Sequence, residues 1–229
     1  MNNEPSFSNE ADEVAADEGE VKAASKRGRG KGKREGMAAD KRERILRAAI
    51  RVFARKGFYS TRVSEIAKAA GVADGTIYLY FKNKDDVLIS IFQDRISKLL
   101  DTLSAAIAAA PAFEDKLRAC VDLQLGLLTD SRELAEVITV NLRQSSRLLK
   151  QYGLPLFSRY LETISGVFEF GQEQGIVQKE LHPRVLSRAL WGAIDAIALG
   201  WALGGGDEHT LKRGAHQVSV VFLDGVRRR

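Results

Sequence analysis

The chain has 229 residues, 45% hydrophobic and 28% charged, enough to bury one large core or two small ones. Its one cysteine, Cys120, excludes an intrachain disulfide and a zinc site built from cysteines, and reads as a small buried hydrophobe. No run of about 18 apolar residues stands out, and the acidic N-terminus lacks the basic-then-apolar order of a signal peptide, so the expectation is a cytoplasmic chain with no membrane partner.

The formal charge of +5 is unevenly spread. Residues 1–40 carry 7 basic and 9 acidic side chains, residues 41–98 carry 13 and 6, and residues 99–229 carry 15 of each. A basic segment joined to a neutral body is the footprint of a nucleic-acid-binding module, although a charge run is equally a solvated face. Residues 1–38 lack hydrophobic periodicity and pass from NEADEVAADEGE to KAASKRGRGKGKR. They read as a disordered tail. Either the tail is a solubilising block, or Arg27, Arg29, Lys31, Lys33 and Arg34 form an arm along phosphates or in a minor groove.

From Lys41 the pattern turns helical. Ile45, Leu46, Ala49, Ile50 and Phe53 recur at spacings of three and four up to Gly57, which predicts a helix over about 40–56. RVSEIAKAAG predicts a second over about 62–70, with Val63, Ile66, Ala67 and Ala70 on one face and Gly71 at its end. A third, about 74–81, carries GTIYLYF. Two short helices joined by a tight glycine-containing turn make a helix-turn-helix, whose second helix lies in the major groove of DNA. Ile77 and Phe81, four apart, then pack inward. Tyr78 and Tyr80 point outward, their hydroxyls available to phosphates and their rings to the sugar edge, and Lys84 brings a point charge one turn later. With Ala73, Gly75, Thr76 and Leu79 these residues form the expected reading surface.

AAIRVFARKGFYSTRVSEIAKAAGVADGTIYLYFKNKDDVL, residues 48–88, resembles the DNA-binding domain of the TetR family of bacterial transcriptional regulators. The resemblance implies an all-helical homodimer that reads a palindromic operator, with a larger C-terminal domain whose ligand releases the DNA. Two places depart from the family pattern. Where the family commonly has a Thr that caps the second helix, this chain has Arg62, which reaches a phosphate but cannot cap, so Thr61 is expected to cap instead. Where Ser then Lys is usual, this chain has Ala73 and Asp74. Asp74 is either the cap of the third helix or a base reader accepting from a cytosine amino group.

Beyond Lys84 the chain reads as helices to its end: about 85–109 up to Pro111, then 112–129, 132–149, 154–174, 183–203 and 208–226. The expected fold is all-α, with a three-helix DNA-binding domain at 39–84 and a ligand-binding and dimerisation domain at 85–229. RVLSRALWGAIDAIALGWAL is apolar nearly all round, either as half of a four-helix dimer interface with the last helix (Val218, Val221, Phe222, Val226) or as a central core helix. Within it Asp195 needs a partner, either a structural hydrogen bond or a ligand.

LRQSSRLLKQYGLPLFSRYLETISGVFEFGQEQGIV, residues 142–177, with WGAIDAIALGWAL further on, resembles the fatty-acid-metabolism regulators of that family, the FadR-type repressors. The resemblance implies a long-chain acyl-coenzyme A effector in a tunnel among the body helices. Leu127, Phe157, Phe168, Trp191, Ile194 and Asp195 are candidates for the tunnel, and Arg143, Arg147 and Lys150 for the coenzyme's phosphates. The open alternatives are a multidrug-type sensor of another hydrophobic molecule and a nonspecific DNA-coating protein. Catalysis is not expected: His182, His209 and His216 are scattered without a completing ligand set, and no nucleotide loop, nucleophile elbow or dinucleotide fingerprint occurs. No metal and no cofactor are expected.

Overall fold

The spacing of Ile45, Leu46, Ala49, Ile50 and Phe53 predicts one apolar helix face, and in the computed structural model all five are buried. Residues 36–129, 131–141, 154–204 and 207–228 are described. The chain divides into two compact units, Met1–Arg44 and Ile45–Arg229. Of the first, residues 36–44 are described and helical, so helix is already present where the tail is expected to reach residue 38. The arm residues Arg27, Arg29, Lys31, Lys33 and Arg34 lie outside the described residues.

The second unit opens with helix α1, residues 45–56. α2 is Val63–Ala70 and α3 is Asp74–Ile77. Gly57 at φ +77° and Gly71 at φ +65° end α1 and α2 in the left-handed region, where a Cβ would be strained. Ile66, Ala67, Ile77 and Phe81 turn inward onto Phe53 and Phe58. The third helix, expected over 74–81, is a single turn that ends at Ile77, with Tyr78–Tyr80 in a following turn.

α4 is Lys84–Ala109. Its start is fixed reciprocally: Asn83 Oδ1 accepts from the Asp86 N–H at 2.8 Å, and Asp86 Oδ2 accepts from the Lys82 N–H at 2.8 Å. Its end is fixed by Pro111, which disfavours helical geometry at Ala110, and Ala110 is extended. Val87, Leu88 and Ile91 join the reading-head core, while Leu99, Leu100 and Leu103 join the body core.

The body comprises α5 (Phe113–Thr129), α6 (Arg132–Glu136), a π-helical turn (Val137–Asn141), α7 (Leu154–Glu173), α8 (Pro183–Gly204) and α9 (Glu208–Val226). Where a continuous helix is expected over 132–149, α-geometry stops at Glu136. The next four residues, Val-Ile-Thr-Val, are β-branched and poor helix formers, and Thr139 Oγ1 and Asn141 Nδ2 bond back to the carbonyls of Ala135 and Glu136. Residues 142–149 lie outside the described residues.

The body core runs through Leu117, Cys120, Val121, Ile164, Phe168, Leu190 and Ile194. An isolated antiparallel bridge, Val177 to Arg227, ties the segment after α7 to the end of α9, with Gln178 N–H on the Val226 carbonyl at 3.0 Å. α8 is the one helix among the described residues that is long and apolar enough, by length and composition alone, to cross a membrane, although no such run is expected from the sequence. It packs on α7 and α9 and buries Leu190, Ile194, Ala198 and Trp201, while only 33% of its apolar stretch is buried within the chain. Of the four α9 residues expected at an interface, Val218 and Val226 are buried in the chain's own core and Phe222 packs on it. Val221 is 66% exposed, beside Val220.

Candidate functional site

The reading surface is built by the short α3. Because Ile77 and Phe81 are buried, the residues between them are pushed outward: Tyr78 is 58% and Leu79 80% exposed. Ala73, Asp74 and Gly75 are exposed and Thr76 half-buried. Tyr80 differs from expectation. It is half-buried, packed on the head core, with its ring 6.4 Å from Phe81. Tyr59, in the turn after α1, is also exposed, at 66%, and was not anticipated. Its signal was the FYST run, one aromatic too many for the core position that Phe58 fills.

Three of the expected roles change. Thr61 does not cap α2: it is 2% exposed, and its hydroxyl donates to the Gly57 carbonyl at 2.8 Å. Glu65 caps instead, accepting from the Arg62 N–H at 2.9 Å. Lys56 bonds the same carboxylate, and these two contacts hold it below its ordinary carboxyl range. Arg62 itself is exposed at the start of α2. Asp74 does not cap α3, whose cap position is Ala73 with no side-chain bond, so the carboxylate stands in the first turn facing solvent. Lys84 is committed inward. Its Nζ donates to the carbonyls of Phe58 (2.7 Å), Tyr59 (3.1 Å) and Thr61 (2.9 Å) and sits 4.6 Å from the Phe58 ring centroid. All three hydrogens of the ammonium are used, so in this conformation it clamps the turn and has none left for a phosphate.

The second feature is an apolar cavity of about 200 Å³. Phe92, Ile96 and Leu99 of α4 form one wall, Leu127 and Leu128 of α5 another, with Phe157 of α7 and Trp191 and Ala198 of α8 opposite. Phe157 also stacks on Tyr160, with centroids 6.3 Å apart. Polar groups enter at four places: Gln124, Thr139, Tyr160 and Asp195. Tyr160 donates its hydroxyl to Gln124 Oε1, and burial, with Cys120 beside it, holds the phenol well above its ordinary range, so it stays a neutral donor. Asp195 is half-buried and already engaged by its surroundings.

Of the tunnel candidates, Leu127, Phe157, Trp191 and Asp195 line this cavity. Phe168 and Ile194 do not. Both are fully buried in the body core, Phe168 against Phe113 at 6.2 Å, so packed neighbours and not the void surround them. Arg143, Arg147 and Lys150 lie outside the described residues. Phe92, Ile96, Gln124, Ile138, Leu154 and Tyr160 were missed, since nothing in a local pattern distinguishes a cavity wall from a packed core. Among the described residues no cluster of histidine, cysteine and carboxylate groups could hold a metal ion.

Comparison with known proteins matches both parts of the chain. Residues 45–91 match the bacterial regulatory proteins of the tetR family, and residues 92–225 match the C-terminal region of YsiA-like proteins, the two meeting inside α4. The chain is 32% identical over 182 residues to the fatty acid metabolism regulator protein of Bacillus subtilis (strain 168), covering 80% of this chain and 93% of that one. It superposes on the fatty acid degradation regulator FadR of Bacillus halodurans with a TM-score of 0.77 at 35% identity, covering 82% and 97% of the two chains. With FadR of Bacillus subtilis, solved in complex with stearoyl-CoA, the TM-score is 0.75 at 32% identity, covering 81% and 99%.

Proposed function

The chain belongs to the tetR family of bacterial regulatory proteins, and we propose that within it the protein is a repressor of fatty-acid-metabolism genes, released from a palindromic operator by long-chain acyl-coenzyme A. The observation that carries this reading is the apolar cavity walled by α4, the helix that leads directly out of the reading head. The stearoyl-CoA held by the Bacillus subtilis relative is a ligand of the kind such a cavity suits.

At about 200 Å³ the cavity lies below the roughly 300–1,000 Å³ of most ligand pockets, so an acyl chain must widen it. That requirement supplies the mechanism. A ligand shifts an equilibrium only by its differential affinity for the two states, and a chain that fits the widened state alone favours that state. Widening displaces α4, whose 26 residues span about 39 Å, and a small tilt at the cavity becomes a larger movement at α3. Two heads of a homodimer then lose the spacing of operator half-sites about one helical turn, or a multiple, apart.

DNA contacts fall to Arg62, Asp74, Tyr78 and Leu79, with Thr76 beside them and Tyr59 as a further exposed aromatic. Effector contacts fall to Leu127, Phe157, Trp191 and Asp195. A homodimer joined through the exposed face of α8 and α9, a cytoplasmic location, a DNA-binding domain at 39–84 and a body at 85–229 belong to the same reading. The small cavity and its four polar groups favour one second reading, a sensor of a more compact hydrophobic molecule.

Operator selection from a random duplex library, with and without palmitoyl-CoA, tests both. A palindrome lost when the thioester is added supports the acyl-coenzyme A reading. A palindrome indifferent to it leaves the compact-ligand sensor. Selection of no palindrome overturns the regulator.

A further inference from the structure

The π-helical turn Val137–Asn141 faces two ways. Ile138 and Thr139 line the cavity. Val137, with Leu134 just before the turn, belongs to the buried core of the reading head beside Phe53, Phe58 and Ile66, and Ile138 packs against that core as well. Asn141, 2% exposed, ends the turn and reaches across 83 positions of sequence: its Oδ1 accepts from the backbone N–H of Phe58 at 2.9 Å. Phe58 begins the turn that carries Tyr59 and Thr61 to Arg62, the same turn that Lys84 clamps from the other side.

We infer that this π turn transmits occupancy of the cavity to the reading head, with Asn141 as the positioning residue at its end. The inference rests on reading the cavity as an effector site. It adds a route distinct from α4, because it enters the head at Phe58 and not at Lys84–Ile91.

A coupling element needs two discrete arrangements. A π turn provides them, since it holds i→i+5 bonds where an α-helix holds i→i+4. Closing it to α-geometry withdraws one residue from the turn and rotates the side chains beyond it by about 100° relative to those before. That rotation carries the Asn141 carboxamide off the Phe58 N–H, and Val140, next to it in the turn, has no side-chain acceptor to take its place. A ligand that presses on Ile138 and Thr139 therefore selects between a head held at Phe58 and a head released there. The Asn141 amide also reaches the Glu136 carbonyl at 3.5 Å, a long bond that changing the turn sacrifices at small cost.

The test uses the intact protein, the selected operator and palmitoyl-CoA as probe. Asn141→Leu keeps the branched shape and removes the acceptor, while Asn141→Asp keeps an acceptor. Calorimetry first asks whether palmitoyl-CoA binds. If it does, the probe should weaken wild-type operator binding at least about fivefold. Asn141→Leu should bind palmitoyl-CoA within about twofold of wild type yet change its operator affinity less than about twofold on adding it, and Asn141→Asp should keep the wild-type response. A full response in Asn141→Leu, or a response lost equally in both variants, overturns the inference.

A second measurement needs no variant and stands even where Asn141→Leu does not fold. Hydrogen exchange at the Phe58 amide should quicken at least about tenfold when palmitoyl-CoA is bound, and unchanged exchange overturns the inference. If palmitoyl-CoA does not bind, the effector reading falls, and the link is judged on operator affinity alone. A loss of about threefold or more in Asn141→Leu that Asn141→Asp restores then sustains it, and equal affinities in all three proteins overturn it.

Discussion

Phe157 and Trp191 meet edge to face, their ring centroids 4.7 Å apart and 68° between planes, on the wall of the apolar cavity. Trp201, the other tryptophan, is buried away from the cavity, its Nε1–H on the Asp207 carbonyl at 3.0 Å and its ring under Arg132. A ligand in the cavity therefore touches one indole only. Palmitoyl-CoA should change tryptophan emission in the wild-type protein and in Trp201→Phe, and leave Trp191→Phe unchanged. Phe157→Ala should weaken its binding about tenfold, as one lost apolar ring contact is worth at least about 1.4 kcal/mol.

The Lys84 ammonium separates two roles that the sequence alone merges. A lysine on phosphate contributes to the salt dependence of operator binding, and its removal lowers the slope by about one counterion. A lysine on three carbonyls contributes to the fold. Lys84→Met should lower stability by about 1.5–3 kcal/mol, the range for hydrogen bonds to a charged group. It should leave the log–log salt slope of operator affinity unchanged. Arg62→Ala should do the reverse, lowering the slope with thermal stability within about 0.5 kcal/mol of wild type.

Asp74 carries no cap bond, so its removal should not loosen α3. Asp74→Ala is expected to keep stability within about 0.5 kcal/mol and to relax sequence preference at one base pair, by about 1–3 kcal/mol of discrimination. Nonspecific affinity should rise, because a carboxylate facing the phosphates is gone. Repeating the library selection with the variant reads both effects; an unchanged consensus would leave Asp74 without a base to read.

The parts of the fold legible in the sequence are those set by local pattern. Ile45 to Phe53 announced their helix by spacing, Gly57 and Gly71 their stops by backbone freedom, and Pro111 the end of α4. What escaped was decided by contacts distant in sequence. Thr61 turned to Gly57 because Glu65 had already satisfied the start of α2, and Lys84 turned inward because three carbonyls converge where only the folded turn brings them. Phe168 and Phe157 share one helix and one residue type, yet one fills the core and the other lines the void. The eleven positions between them make about three turns of α7 and leave both on one side of the helix, so their difference is how far along α7 the void extends, which no local rule supplies. The π turn follows the same logic: its β-branched run is visible in the sequence, but its cause includes Phe58, 83 positions away.

Gly171 lies in α7 where Val177 and Phe113 pass close to its Cα. A Cβ there would stand 2.6 Å from Val177 Cγ2 and 2.7 Å from Phe113 Cδ2, both on fully buried side chains that have nowhere to move. Alanine gains about 1 kcal/mol in helix propensity over glycine, while overpacking costs about 1–3 kcal/mol. The clash should win. Gly171→Ala is expected to lower the chemical-denaturation midpoint by the equivalent of about 1 kcal/mol, whereas an exposed helical glycine such as Gly166, with open space about its Cα, should gain on the same change.

Cys120 sits fully buried among the body helices, and burial pushes its thiol from an ordinary 9.0 up to about 12. The thiolate is the reactive form, so a thiol reagent at pH 8 should label the folded protein only through opening of the body, and labelling should track unfolding by denaturant. The same shift fixes a pH dependence. A folded-state pKa raised above the unfolded one favours the protonated form in the fold, so its contribution is fully present below about pH 9 and is lost as pH rises toward 12. Within that window stability should fall by up to about 1.4 kcal/mol per pH unit from this group, with Tyr160, also raised by burial, adding to the loss at the upper end. In Cys120→Ala the decline should start later and be shallower, and equal declines in the two proteins between pH 9 and 10 would show that the thiol titrates alike folded and unfolded.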